Sequence, residues 1–89
     1  MRAVITVIGK DRVGIIAGIS NILSGNNVNI LDISQTLMQD VFTMIMLTDV
    51  SKAEVPFDTL SGLLEEKGRE LGLYVKIQHE DIFNSMHRL

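Results

Sequence analysis

The order of hydrophobic periodicities restricts this chain more than any other feature: strand-like, helical, strand-like twice, helical, and strand-like again. The first segment, Arg2 to Ile8, is short and β-branched, and is apolar at positions that would face both sides of a sheet, as suits a central strand. Gly9-Lys10-Asp11-Arg12-Val13-Gly14 follows as a turn-rich loop. Ile15, Ile16, Ile19, Ile22 and Leu23 then fall on one face at helical spacing, which predicts a helix over about Val13 to Ser24. Ser24-Gly25-Asn26-Asn27 supplies residues that tolerate positive φ and end a helix, so the chain turns directly into its next strand.

Val28 to Gln39 and Val41 to Val50 predict a long hairpin that breaks near Met38-Gln39-Asp40, without the Asn-Gly or Asp-Gly pair that marks such turns strongly. The apolar positions Val28, Ile30, Leu31 and Ile33 change face midway, which predicts a bulge or a local twist. Pro56 suits a helix's first turn, where its missing N–H costs nothing. Phe57, Leu60, Leu64 and Leu71 then share one face, with Leu63 on the flank and Glu65 four residues before Arg69 on the wet side. Gly72 closes that helix. The last strand, Leu73 to Glu80, points Val75 and Ile77 inward and Tyr74, Lys76 and Gln78 outward. Residues 81–89 form a C-terminal tail that can make a short amphipathic helix, with Asp81 as a cap and Ile82, Met86 and Leu89 aligned.

Two crossovers interleaved in one sheet give an α+β fold, the ferredoxin-like βαββαβ sandwich, with a four-stranded antiparallel sheet and two helices on one face. The third strand is apolar on both sides, Phe42, Met44 and Met46 against Thr43, Ile45 and Leu47. One set therefore faces something outside the core: a second copy, in a homodimer or higher homo-oligomer, or the chain's own tail folded back.

Composition removes several classes. With no cysteine, the chain cannot be a disulfide-stapled scaffold, an iron–sulfur carrier or a thiolate zinc module. A net charge of −3 offers no broad positive field for nucleic acid, and the central strands lack the aromatics on which RNA bases stack. The apolar run near the N-terminus is too short for a signal core or a membrane span, so the expectation is a cytoplasmic protein with no membrane partner. His79, Glu80, Asp81 and His87 have no standard metal spacing, and neither a metal nor a cofactor is expected. Acylphosphatase-type chemistry needs a phosphate-cradling loop and a water-orienting asparagine; Lys10-Asp11-Arg12 makes no glycine-rich nest, so the chain is not expected to be an enzyme.

Asp11-Arg12-Val13-Gly14-Ile15-Ile16-Ala17, after the first strand, resembles the DRPG-hydrophobic-hydrophobic-Ala stretch of ACT domains. Val28-Asn29-Ile30-Leu31-Asp32-Ile33-Ser34-Gln35 is similar to their second-strand pattern. The resemblance spans residues 2 to 80, giving an ACT-like domain over 1–80, similar to stand-alone ACT proteins and to the modules of the glycine-cleavage repressor and formyltetrahydrofolate deformylase. Val13 stands where the family usually has proline. The resemblance implies a regulatory, non-catalytic module that binds a small amino-acid-like ligand between subunits, through Asp11, Arg12, Val13, Gly14 and Ile15 of one and Asn29, Ile30 and Asp32 of the other. A separate effector protein would carry the output.

Elementary physics supports a ligand at the loop, because a helix start presents unpaired N–H groups and the positive end of a dipole, and Gly14 lets a ligand come close. The same residues also have structural uses. Gly14 and Gly18 let the helix sit tightly on the sheet, Asp11 caps a helix, Arg12 solvates a surface, and Asn29 and Asp32 leave a turn. An adaptor that binds a protein through its sheet face or edge, with no metabolite, is the alternative reading, and a small hydrolase the remote one.

Overall fold

The computed structural model describes residues 1–86. Strand β1 (Arg2–Lys10) leads through a loop to helix α1 (Ile15–Gly25); strands β2 (Asn29–Met38) and β3 (Val41–Asp49) form a hairpin; helix α2 (Phe57–Leu71) and strand β4 (Leu73–His79) follow, and a short helix α3 (Glu80–Met86) ends the described chain. The strands lie in the order β2-β3-β1-β4, with every neighbouring pair antiparallel. Each crossover helix therefore carries the chain past one intervening strand, which is the ferredoxin-like arrangement expected from the periodicity.

One core lies between the sheet and the helices. From β1 it takes Ala3, Ile5 and Val7, from β3 Phe42, Met44 and Met46, and from β4 Leu73, Val75 and Ile77; the helices add Ile15, Ile19, Leu23, Leu60 and Leu64. The alternation along β3 thus resolves with the methionines inward. Thr48 continues that inward row and is fully buried, its hydroxyl donating to the Ala3 carbonyl at 2.9 Å, which satisfies a polar group the core would otherwise strand. Gly68 of α2 lets the helix close on β4: a Cβ there would come within 2.7 Å of Val75 Cγ2 and 3.0 Å of the Leu73 carbonyl oxygen. Phe57 stacks on His79 with ring centroids 4.2 Å apart, joining the start of α2 to the end of β4.

Register explains two irregularities. In the β2–β3 pairing the partners step from Ile30/Thr48 to Asp32/Leu47, so Leu31 is the extra residue of a bulge. The bulge moves Ile33 onto the same face as Ile30, as the sequence pattern requires. At the hairpin tip Gln39 and Asp40 both have positive φ, at 46° and 74°, so two non-glycine residues adopt a conformation that glycine or asparagine usually supplies. Gly72 ends α2 at φ 71°, with its N–H bonded to the Arg69 carbonyl.

Three details depart from the sequence reading. Helix α1 begins at Ile15 rather than Val13, because Gly14 takes φ 93° and leaves Val13 in a turn, 97% exposed. On α2 the ion pair is Lys67 with Glu70 at 3.5 Å, rather than Glu65 with Arg69. Helix α3 starts at Glu80, one residue before Asp81, which lies inside its first turn; His87 and Leu89 lie outside the described residues.

Candidate functional site

The β1–α1 loop stands at one end of the sandwich, held from two directions. The Asp11 N–H donates to the Asp40 carbonyl at 2.9 Å, tying the loop to the β2–β3 turn. The Arg12 guanidinium donates to the Leu71 carbonyl at 3.1 Å, at the C-terminal end of α2, where the helix dipole favours a cation. Arg12 is therefore a tether between loop and helix rather than a free solvating side chain. Asp11 does not cap α1: no side-chain cap bond is formed there, because Gly14, not an Asx or hydroxyl residue, occupies the N-cap position.

With Gly14 as cap, the Gly18 N–H closes the first helical bond onto the Gly14 carbonyl at 2.8 Å. The amides of Ile15, Ile16 and Ala17 then have no intrahelical acceptor, two residues later in the chain than the Val13–Ile15 set expected from sequence. They border a shallow hollow of about 190 Å³ formed with Asp11, Arg12, Gly14 and Phe42. Nothing lies within 4 Å of where a Gly14 Cβ would stand, so the position is open on that side. Ile16, Ala17 and Phe42 were not among the residues expected at the site from sequence. Ala17 was visible only as part of a motif, and Phe42 reaches the hollow only through the pairing of β3 with β1, where it stands opposite Gly9.

The second group of expected residues is at the other end. Asn29 opens β2 and lines a larger cleft of about 380 Å³, with Asn27, Val28, Asp49, Ser51 and Lys52 among its walls. Asp49 accepts from the Ser51 amide at 2.9 Å and from its hydroxyl at 2.6 Å, and it pairs with the terminal amine of Met1 at 3.6 Å. The Ser51 hydrogen bonds hold its carboxyl below the usual range, and the positive terminus adds to that. Asp32 turns its carboxylate back to the Ile33 N–H at 2.9 Å, and Ile30 is half-buried against the core. Within one chain, the loop residues and the Asn29–Asp32 group are separated by the whole of α1, 11 residues or about 16 Å of helix. The fold thus brings Asp11, Arg12, Gly14 and Ile15 together and keeps Asn29, Ile30 and Asp32 away from them; Val13 projects into solvent.

Among the described residues no group of three or more His, Asp or Glu side chains is arranged to hold a metal ion, and no helix is long and apolar enough to cross a membrane.

A βαββαβ sandwich whose first βα loop is held at one end of the sheet, with α1 and α2 on one face, defines the class of domain. The ACT-domain family profile matches residues 2–78, and the chain belongs to the ACT-domain family. It is 63% identical over its full 89 residues to a UPF0237 protein of Clostridium acetobutylicum, covering all of both chains. Among solved structures it is similar to an ACT domain protein from Streptococcus pneumoniae, with a TM-score of 0.80 and 39% identity over 98% of each chain. A formyltetrahydrofolate deformylase from Pseudomonas syringae shares the fold, with a TM-score of 0.80 at 23% identity over 88% of this chain and 27% of that one.

Proposed function

We infer that the protein is a regulatory module that binds an amino-acid-like metabolite at a pocket shared by two copies of the chain. ACT domains are regulatory ligand-binding modules. The observation that carries the finer reading is the separation of the two half-sites by the length of α1, with β2, paired to β3 on one side and open on the other, running between them at the sheet edge. That edge leaves Leu31, Ile33, Leu37 and Met38 exposed, a long apolar border of the kind natural sheets cover. Pairing β2 with its symmetry mate antiparallel brings the Asn29 end of one chain beside the β2–β3 turn of the other. The Asp11–Asp40 bond fastens the β1–α1 loop to that turn. The amides of Ile15 to Ala17 then receive a carboxylate, and Asn29 and Asp32 of the second copy offer polar groups to the rest of the ligand.

Binding at such a pocket shifts the spacing of the two copies, and a separate effector protein reads that shift. The test is thermal unfolding against each of the twenty amino acids, with Gly14→Val beside the parent. One or a few amino acids raise the parent's Tm, since a ligand held at a hundred times its Kd contributes about 2.7 kcal/mol. Gly14→Val, strained at φ 93° yet able to fold, loses that response. No response from the parent to any amino acid, or an undiminished response from the variant, overturns the reading.

A further inference from the structure

The two half-sites differ in size. The hollow at the start of α1, about 190 Å³, lies below the roughly 300–1,000 Å³ of small-molecule sites, whereas the cleft beside Asn29, about 380 Å³, lies within that range. The hollow has room for one end of a ligand, so the bulk of the ligand belongs in the cleft. Asn29 belongs to both descriptions, because it opens β2 at the half-site and also forms a wall of the cleft. Asp32 and Asp49 share its side of the sheet: Asn29 stands opposite Asp49 and Asp32 opposite Leu47, while Met46 and Thr48 point into the core.

The cleft is assembled from segments far apart in the chain and held by hydrogen bonds. The Asn27 side chain donates to the Lys52 carbonyl at 3.1 Å, and the Glu54 N–H to the Asn26 carbonyl at 2.9 Å, which fastens residues 52–54 to the turn between α1 and β2. Its walls offer little to an apolar side chain. Val28 is the one aliphatic residue among its described walls and is 6% exposed; the others carry hydroxyl, amide, carboxylate or ammonium groups.

The acceptors at the cleft are engaged and its donors are not. The last carbonyls of α1 are taken, Ile22 by the Asn26 side chain at 2.8 Å, Leu23 by the Val28 N–H at 2.9 Å and Ser24 by the Asn27 N–H at 3.2 Å. Asp49 is met by Ser51 and by the Met1 amine. The side chains of Lys52 and Asn29 have no ion-pair or hydrogen-bond partner among the described residues. With the terminal amine offsetting Asp49, one positive charge is left over, on Lys52, with an amide beside it.

We propose that the ligand is an α-amino acid whose side chain ends in a carboxylate, aspartate or glutamate, and that this carboxylate enters the cleft to meet the Lys52 ammonium and the Asn29 amide. The assignment rests on the shared pocket inferred above. The ligand's α-carboxylate lies on the Ile15 to Ala17 amides of the second copy and its ammonium on Asp32. Asp11 and Arg12 at the loop offset each other, so Asp32 and Lys52 are the charges that the ligand's ammonium and distal carboxylate match. An amide side chain fills the same space but leaves Lys52 without a charged partner. Because a charge-assisted hydrogen bond is roughly twice as strong as a neutral one, asparagine or glutamine binds about tenfold more weakly than its acid.

Thermal unfolding of the full chain, titrated with aspartate, glutamate, their amides and the other amino acids at matched ionic strength, gives an apparent Kd for each from the rise in Tm. The parent is compared with Lys52→Gln and Gly14→Val. Lys52 is exposed and unpaired, so without ligand Lys52→Gln melts at the parent's temperature. The expected result is a response to aspartate or glutamate, about tenfold weaker with the matching amide. Lys52→Gln then binds acid and amide equally, and Gly14→Val binds neither. A parent that responds to other amino acids but to neither acid overturns the assignment and leaves the shared pocket standing, as does an acid response that Lys52→Gln leaves unchanged. An acid response that Gly14→Val keeps overturns the shared pocket and the spanning arrangement with it. No response to any amino acid overturns both.

Discussion

Replacing Gly62 and Gly68, six residues apart on α2, with alanine should change stability in opposite directions. Both lie inside the helix, where glycine costs about 1 kcal/mol relative to alanine, so propensity alone favours both changes equally. Gly62 is exposed, and nothing lies within 4 Å of an added Cβ; Gly62→Ala therefore keeps the whole gain, about 0.5–1 kcal/mol. Gly68 is buried against β4. Its Cβ would stand 2.7 Å from Val75 Cγ2 and 3.0 Å from the Leu73 carbonyl oxygen, and the latter is backbone and cannot rotate away. Overpacking of that kind costs about 2–3 kcal/mol, so after the propensity gain Gly68→Ala is left about 1–2 kcal/mol less stable than the parent. The two variants then differ by about 2–3 kcal/mol. At roughly 4–8 °C per kcal/mol for a domain of this size, their melting temperatures lie some ten to twenty degrees apart. Urea titration followed by circular dichroism, with m unchanged, measures both. If Gly68→Ala proves as stable as Gly62→Ala, α2 does not press on β4 as described, and the account of the core is wrong.

Two further outcomes follow from the site. Arg12→Met keeps the length of the side chain but removes the donor to the Leu71 carbonyl, and should cost about 1 kcal/mol in urea unfolding, less at high salt; equal stability at every salt concentration would show the tether to be idle. The Ser51 hydrogen bonds hold the Asp49 carboxyl below the ordinary aspartate range, so its contribution is fully present above the unfolded pKa and is lost as pH falls through the lower folded one. Asp49→Asn should flatten the acid limb of the stability–pH curve below about pH 4, and an unchanged limb would contradict the Ser51 hydrogen bonds as its cause.

Element order and strand faces were legible in the sequence because they depend on neighbours two to four residues apart. Isoleucines at helical spacing announced α1, Pro56 and Gly72 bounded α2, and the alternation of Leu73 to Ile77 fixed which side of β4 is inward. Even the bulge at Leu31 was implied, since the apolar positions of β2 change parity there. The site was legible only as far as a motif reaches: Asp11 to Ile15 and Asn29 to Asp32 were marked by resemblance, not by their geometry.

What the chain could not announce locally was settled by contacts between residues far apart in sequence. Arg12 finds Leu71 fifty-nine positions away, Phe42 reaches the loop hollow through its pairing with Gly9, and Thr48 has a place in the core only because the Ala3 carbonyl accepts its hydroxyl. Periodicity reports which side of an element is apolar, whereas partners, and the cleft that joins Asn29 to Lys52, depend on how the elements stack. Stacking is a balance of burial and backbone sterics over the whole domain, and no window of sequence contains it.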